Sequence, residues 1–377
     1  MALIKQTEKD FVVWELQPKS ATGARNGSGE HAYFWLTKQG LTTFEALQEI
    51  SDYFEISKDR IGFAGAKDRN ATTTQLISIR NIGKAQDDIR IGSGISLEYA
   101  GQGEEPLGIG QLLGNKFRIV IRGMAKEEIP SFKGNYALLE KLKAVPNYFD
   151  EQRFSRRNAA IGKALATNNL KQAVAEILGC NADALKPDFF SAAAKEKRGF
   201  EAAVAHALVR SPTDFNAALR MVSFRLRKLF IHAYQAYLFN TIAARHISES
   251  LAAEHVVTSE YSLGKFAFPK VAMANTELPV VGFATEFNTI HDKKLAAIVA
   301  DVLKSEGITP RTFLIKSMPE LSSEGGMRSL FTQVKNLSCS GIGPDEMNKG
   351  KKKCTLSFSL DKGCYATIVV KALISTR

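Results

Sequence analysis

At 377 residues the chain is long enough for two domains, or for one domain carrying a large insertion. Its hydrophobic fraction of 45% and charged fraction of 24% are those of an ordinary globular protein, which excludes a fibrous or low-complexity chain. The 50 Lys and Arg residues against 39 Asp and Glu leave a formal net charge of +11, which favours a polyanionic partner such as RNA or DNA without specifying any chemistry.

The start MALIKQTEKDF has no apolar core behind its charge, so no secretory leader is expected, and no apolar run reaches the ~18 residues of a membrane span. Cys180, Cys339, Cys354 and Cys364 form no C-x-x-C pair and have no histidine at zinc-ligand spacing. No metal site is expected, and a reducing cytoplasm is the default compartment.

DFVVWEL and HAYFWLTK, rich in β-branched and aromatic residues, predict two strands near the start. Apolar residues at Phe44, Leu47, Ile50 and Phe54, with Thr43 as N-cap, predict a helix over 43–54. RIGFAG and TTTQLISIR predict two strands around a tight polar loop, and NKFRIVIRG a further alternating strand. From about residue 144 to 332 the pattern turns helical, with RNAAIGKALAT, LKQAVAEIL and FEAAVAHALVR. A long helix is expected over 213–246, its aromatics Phe215, Phe224, Phe230, Tyr234, Tyr237 and Phe239 facing a core. Strand patterns return from residue 335, where KCTLSFSL and YATIVVKAL flank a turn at Asp361 to Gly363. A strand-rich start and end around a helical middle predict an insertion inside one discontinuous sheet domain.

No G-x-x-x-x-G-K-[ST] phosphate loop, H-E-x-x-H or G-x-S-x-G elbow occurs. GIGQLLG (108–114) has the spacing G-x-G-x-x-x-G and leads into a strand pattern rather than a helix, so it is not a dinucleotide fingerprint. The unusual chemistry is concentrated in GFAGAKDRNATTTQ (62–75). Gly62 and Gly65 supply backbone freedom and room for another segment to approach. Lys67 and Arg69 flank Asp68, so its carboxylate is expected to stay ionised and available as nucleophile or base. Taken alone, the same residues also read as a solvated hairpin turn.

That segment resembles the signature of the TruD family of tRNA pseudouridine synthases, G-x-x-G-x-K-D-x-x-A-x-T-x-Q. Further segments resemble the family's other boxes in the same order: DFVVWE from Asp10, GEHAYFWLTKQGLTTFEAL from Gly29, LLGNKFRIVIR from Leu112, VPNYFDEQRFS from Val145, HAYQAYLFN from His232 and KGCYATIVVKAL from Lys362. The resemblance spans nearly the whole chain. It implies isomerisation of uridine to pseudouridine in tRNA, typically at uridine-13 of the D arm, with no cofactor, in a cytoplasmic monomer. It also implies an α/β fold of the α+β type. A pseudouridine-synthase catalytic domain with a mostly antiparallel, curved sheet would occupy 1–143 and 333–377, and a TruD-type α/β insertion 144–332.

By match to the family's motifs, Asp68 is implied as the catalytic carboxylate, attacking C1′ of the ribose or removing the C2′ proton. Phe11 and Tyr365 are implied as pocket residues, Asn115 as a polar contact and Phe117 as the stacking platform for the target base. Lys5, Glu15, Lys67 and Gln75 are implied to orient Asp68 or to bind phosphate. Each has a plainer reading: Phe11, Phe117 and Tyr365 lie on segments read as alternating strands, where an aromatic is usually core. Asn115 beside Gly114 is also ordinary turn chemistry. Arg153, Arg156 and Arg157 form a basic cluster and KGKKK (349–353) a basic loop, each able to meet RNA phosphate or to be a solvated face. The chain departs from the family pattern at Asp150, His232, Lys362 and Cys364, which bears on RNA contacts and the pocket rim. Two rivals remain: an RNA-binding protein that keeps the fold without the chemistry, and a different nucleic-acid enzyme using Asp68 as general base.

Overall fold

Strand-forming sequence from both ends of the chain converges on one ten-stranded sheet in the computed structural model, which describes residues 3–22, 28–82, 88–154 and 157–375. Its strands are β1 (Phe11–Leu16), β2 (His31–Gln39), β3 (Ile61–Phe63), β4 (Thr72–Arg80), β5 (Ile89–Ile91), β6 (Ile95–Gly103), β7 (Gly114–Met124) and three late strands, Lys335–Cys339, Gly343–Pro344 and Lys352–Asp361. From one edge the order is Lys335–Cys339, Lys352–Asp361, β7, β1, β4, β2, β6, β5, with Gly343–Pro344 on Lys352–Asp361 and β3 on β4. Every pairing is antiparallel except β1 with β4.

Period-two alternation decides which side of this sheet is core. Phe34 and Leu36 of β2, Ile77 and Ile79 of β4 and Leu97 of β6 bury one face against helix α1 (Thr43–Tyr53), which contributes Ala46, Leu47 and Ile50. Each of the Phe, Leu and Ile side chains is worth roughly 1.5–3 kcal/mol on burial. Thr42, not Thr43, caps this helix: its hydroxyl accepts from the Glu45 amide while the Glu45 carboxylate accepts from the Thr42 amide. Thr43 is thereby left inside the first turn with a buried side chain. Gly62 is required by close packing, since a Cβ there would lie 2.4 Å from the Leu107 carbonyl oxygen. Gly65 meets no such demand, because nothing lies within 4 Å of the position its Cβ would take.

The sheet belongs to a compact unit formed by Met1–Val145 and Thr332–Thr376. It also holds helix α2 (Ile129–Leu142) and a C-terminal helix, Ala366–Ile374. The latter corrects the expected strand in YATIVVKAL. Its β-branched residues favour strands locally, yet Ala366, Val369, Val370 and Leu373 are buried at helical spacing. Asn135 of α2 locks the end of that helix by donating to the carbonyls of Leu373 and Ser375.

The other unit is built on Pro146–Phe331. Helices Asn158–Ala166, Leu170–Leu178, Pro187–Glu196, Gly199–Arg210, Phe215–Arg220, Phe224–Ser250 and Lys293–Glu306 accompany a hairpin of Val256–Tyr261 and Gly264–Pro269. The helix expected over 213–246 is two helices. Asp214 caps the first and Ser223 the second, and their side chains take amide protons that a continuous helix would give to carbonyls. Of the six aromatics, Phe230, Tyr234 and Phe239 are buried, Phe215 and Tyr237 half-buried and Phe224 exposed. Among the described residues no helix is long and apolar enough to cross a membrane.

Candidate active site

The polar residues around Asp68 gather through sheet register. Lys38, Thr73, Val13, Phe117 and Phe358 form one row across β2, β4, β1, β7 and Lys352–Asp361. Two residues further along, Leu36, Gln75, Glu15, Asn115 and Leu360 form the next row on the same face. The loop between β3 and β4 carries Lys67 and Asp68 over this face.

The two cations that flank Asp68 in the chain each have another carboxylate partner. Lys67 Nζ lies 2.7 Å from Glu15 Oε2 and donates to Asn115 Oδ1 at 2.8 Å. Arg69 pairs with Glu45 of α1. The cation on Asp68 is Lys5, whose Nζ lies 2.7 Å from Oδ2 and 4.2 Å from the centroid of the Phe11 ring. Lys5 of the N-terminal segment thus joins the two flanking cations as positive charge beside Asp68, and it is in direct contact with the carboxylate. The Asp68 side chain is 41% exposed, so it is open to a substrate.

Lys5 is held in a left-handed conformation, φ 61°, which costs a non-glycine residue about 1–3 kcal/mol. Anchors on both sides maintain it. Leu3 exchanges both backbone hydrogen bonds with Arg122, and the Thr7 amide donates to Asp10 Oδ2. Asp10 is bound by the Arg122 guanidinium, which also binds Asp345 and Glu346. Burial pushes the Asp345 carboxyl up, but hydrogen bonds from Asn348, the Gly123 and Met347 amides and Arg122 prevail and hold it at about 2.

Gln75 is buried, donating to the Gly65 carbonyl and accepting from the Thr43 hydroxyl. Thr43 Oγ1 in turn accepts the Lys67 amide at 2.8 Å. Phe117 is 6% exposed; its ring lies 6.2 Å from Phe11, edge to face, and 5.5 Å from Phe358. Tyr365 is the N-cap residue of the C-terminal helix and not part of a strand, and it is half-buried. It lies four residues beyond Asp361, which pairs with Gly114.

Two further participants, Thr43 and Lys38, lie in the box GEHAYFWLTKQGLTTFEAL, whose resemblance assigns them no site role. Lys38 is completely buried, and its Nζ donates to the carbonyl oxygens of Leu41 and Asp68, each at 2.6 Å. Its sequence signal is parity, for in HAYFWLTKQ it shares the inward phase of Phe34 and Leu36.

A cavity of about 470 Å³ in the same unit is lined by Tyr33, Glu105, Gln111 and Lys362 among others, and none of the residues around Asp68 lines it. In the unit Pro146–Phe331, Arg157 pairs with Glu176 and Arg153 lies 5.9 Å from the Phe149 ring, while Arg156 falls outside the described residues. His232 is pushed down to about 4 by burial, Arg153 and Lys228. Among the described residues no group of three His, Cys, Asp or Glu side chains could hold a metal ion.

A family model described as tRNA pseudouridine synthase D (TruD) matches residues 1–373. The chain is 31% identical to "Probable tRNA pseudouridine synthase D 2" of Methanocaldococcus jannaschii, over 98% of this chain and 90% of that protein. It is 30% identical to "Probable tRNA pseudouridine synthase D 1" of Methanococcus maripaludis, over 98% of this chain and 99% of the relative. The crystal structure of the "Putative tRNA pseudouridine synthase D (TruD)" from Methanosarcina mazei matches with a TM-score of 0.72 at 27% identity, covering 98% of this chain and 93% of that one.

Proposed function

Because this chain belongs to the tRNA pseudouridine synthase D (TruD) family, which isomerises uridine to pseudouridine in tRNA, we propose that Asp68 is its catalytic carboxylate and uridine-13 of the D arm its target. On this reading the catalytic domain is 1–143 with 333–377, and 144–332 is its insertion. The observation that carries the role of Asp68 is its ion pair with Lys5, beside the aromatic pair Phe11 and Phe117.

The reaction breaks the bond from N1 to C1′ and joins C5 to C1′. C5 releases a proton and N1 gains one, so nothing is oxidised or reduced. Attack at C1′ and removal of the C2′ proton both require Asp68 as carboxylate, the form that Lys5 favours by charge and hydrogen bond. A target uridine must leave its helical stack to be reached. Phe11, Phe117 and Tyr365 would then contact the base or sugar and Asn115 would supply an amide, while Lys67 and Glu15 hold Asn115 in place. Gln75 fixes the loop through the Gly65 carbonyl. The same reading takes the protein to work on tRNA as a monomer in the cytoplasm.

Asp68→Asn should abolish pseudouridine formation while leaving tRNA binding in place. Tritium release from tRNA carrying 5-labelled uridine, with a filter-binding assay beside it, measures both. Full activity in this variant refutes the assignment of Asp68.

A further inference from the structure

Lys38 is 0% exposed, although an ammonium is among the costliest groups to remove from water. Its position on β2 continues the inward phase of Phe34 and Leu36, where an apolar side chain would satisfy the core. It donates to two main-chain carbonyls rather than to carboxylates: Leu41 O, just before α1, and Asp68 O, each at 2.6 Å. The ammonium thus ties the start of α1 to the peptide of Asp68.

We propose that Lys38 is a positioning residue of the isomerisation, a buried cation that pins the Asp68 peptide and so aims its carboxylate. This rests on the reading of Asp68 given above. Lys5 holds the carboxylate at Oδ2, and Lys38 holds the main chain at O. Without the second, the loop from residue 64 to 71 keeps the hydrogen bonds of Lys67 and Gln75 but loses the one made at Asp68 itself.

The charged groups that bear on Lys38 are Asp68 and Lys67 from that loop and Glu45 from α1. Burial, opposed by Asp68, reinforced by Lys67 and opposed by Glu45, brings the ammonium down to about 8. Its loss of a proton at mildly alkaline pH removes one donor and the positive charge behind Asp68, and turnover should fall with it.

The test compares Lys38→Met, which keeps an unbranched chain without the charge, and Lys38→Arg, which keeps the charge, by tritium release at varied tRNA concentration and pH. Lys38→Met should lower kcat about 10- to 100-fold with KM for tRNA within about two-fold, because a misplaced catalytic group costs turnover and not binding. Wild-type kcat should decline through about pH 8, Lys38→Met should lack that limb, and Lys38→Arg should carry it to higher pH. A Lys38→Met kcat within about two-fold of wild type, or a loss falling on KM, overturns the proposal. So does a wild-type kcat that is flat from about pH 7 to 9.5, a measurement that decides even where neither variant folds. A wild type without any pseudouridine formation refutes the functional reading instead, which separates the two failures.

Discussion

The charge on Asp68 is handled by a residue 63 positions away in the chain, while its two basic neighbours serve Glu15 and Glu45. A flanking lysine in a sequence motif therefore marks a component of the site without saying whom it pairs with. Phe117 shows the same gap between motif and environment. It is matched to the family's stacking position, yet at 6% exposure it is wedged between Phe11 and Phe358. Phe117→Ala should therefore cost about 3–5 kcal/mol of stability as well as turnover. Phe117→Leu preserves most of the packing, and its Tm should fall by no more than about 4 °C while turnover drops sharply. Thermal unfolding beside tritium release tells these apart, and wild-type turnover in the leucine variant makes Phe117 ordinary core.

Among the elements, the N-terminal segment has the most consequential attachment. Leu3 to Asp10 is fastened to β7 through Arg122, and Arg122 is completed by Asp345 from the stretch before Lys352–Asp361. The Asp345 carboxyl, held at about 2 in the fold, sits near its ordinary 3.8 in the unfolded chain. A folded value below the unfolded one contributes stability that is complete above pH 3.8 and is lost as pH falls through about 2. Urea unfolding from about pH 5 down to 2 should show this loss, and Asp345→Asn should flatten it. The same variant should cost about 1.5–3 kcal/mol at neutral pH, because it weakens charged hydrogen bonds to Arg122 while Asp10 and Glu346 still face that guanidinium. An unchanged pH profile in Asp345→Asn would place the acid sensitivity elsewhere. The C-terminal helix shows why elements resist reading from local pattern. ATIVVKALI has strand-like propensity, and burial at helical spacing together with the Asn135 cap of α2 overrides it.

For the whole molecule, the net charge of +11 bears on association with tRNA and not on the bond rearrangement. KM for tRNA should therefore rise steeply between about 50 and 200 mM salt, as released counterions no longer favour the complex, while kcat at saturating tRNA stays nearly constant. Parallel losses in both would mean that salt acts on the fold.

The sequence by itself determined the family, and with it the reaction class, because the family's signature boxes are short and local and stay recognisable in this chain despite departures such as Asp150 and His232. It also marked most of the sheet strands, since alternation is a property of neighbouring residues. Tertiary structure alone decided that Lys5 faces Asp68, that Lys67 bridges Glu15 and Asn115, and that Lys38 holds the Asp68 carbonyl from within the core. Electrostatic partners are chosen by strand order and register, which the packing of the entire sheet sets and no local pattern of residues encodes.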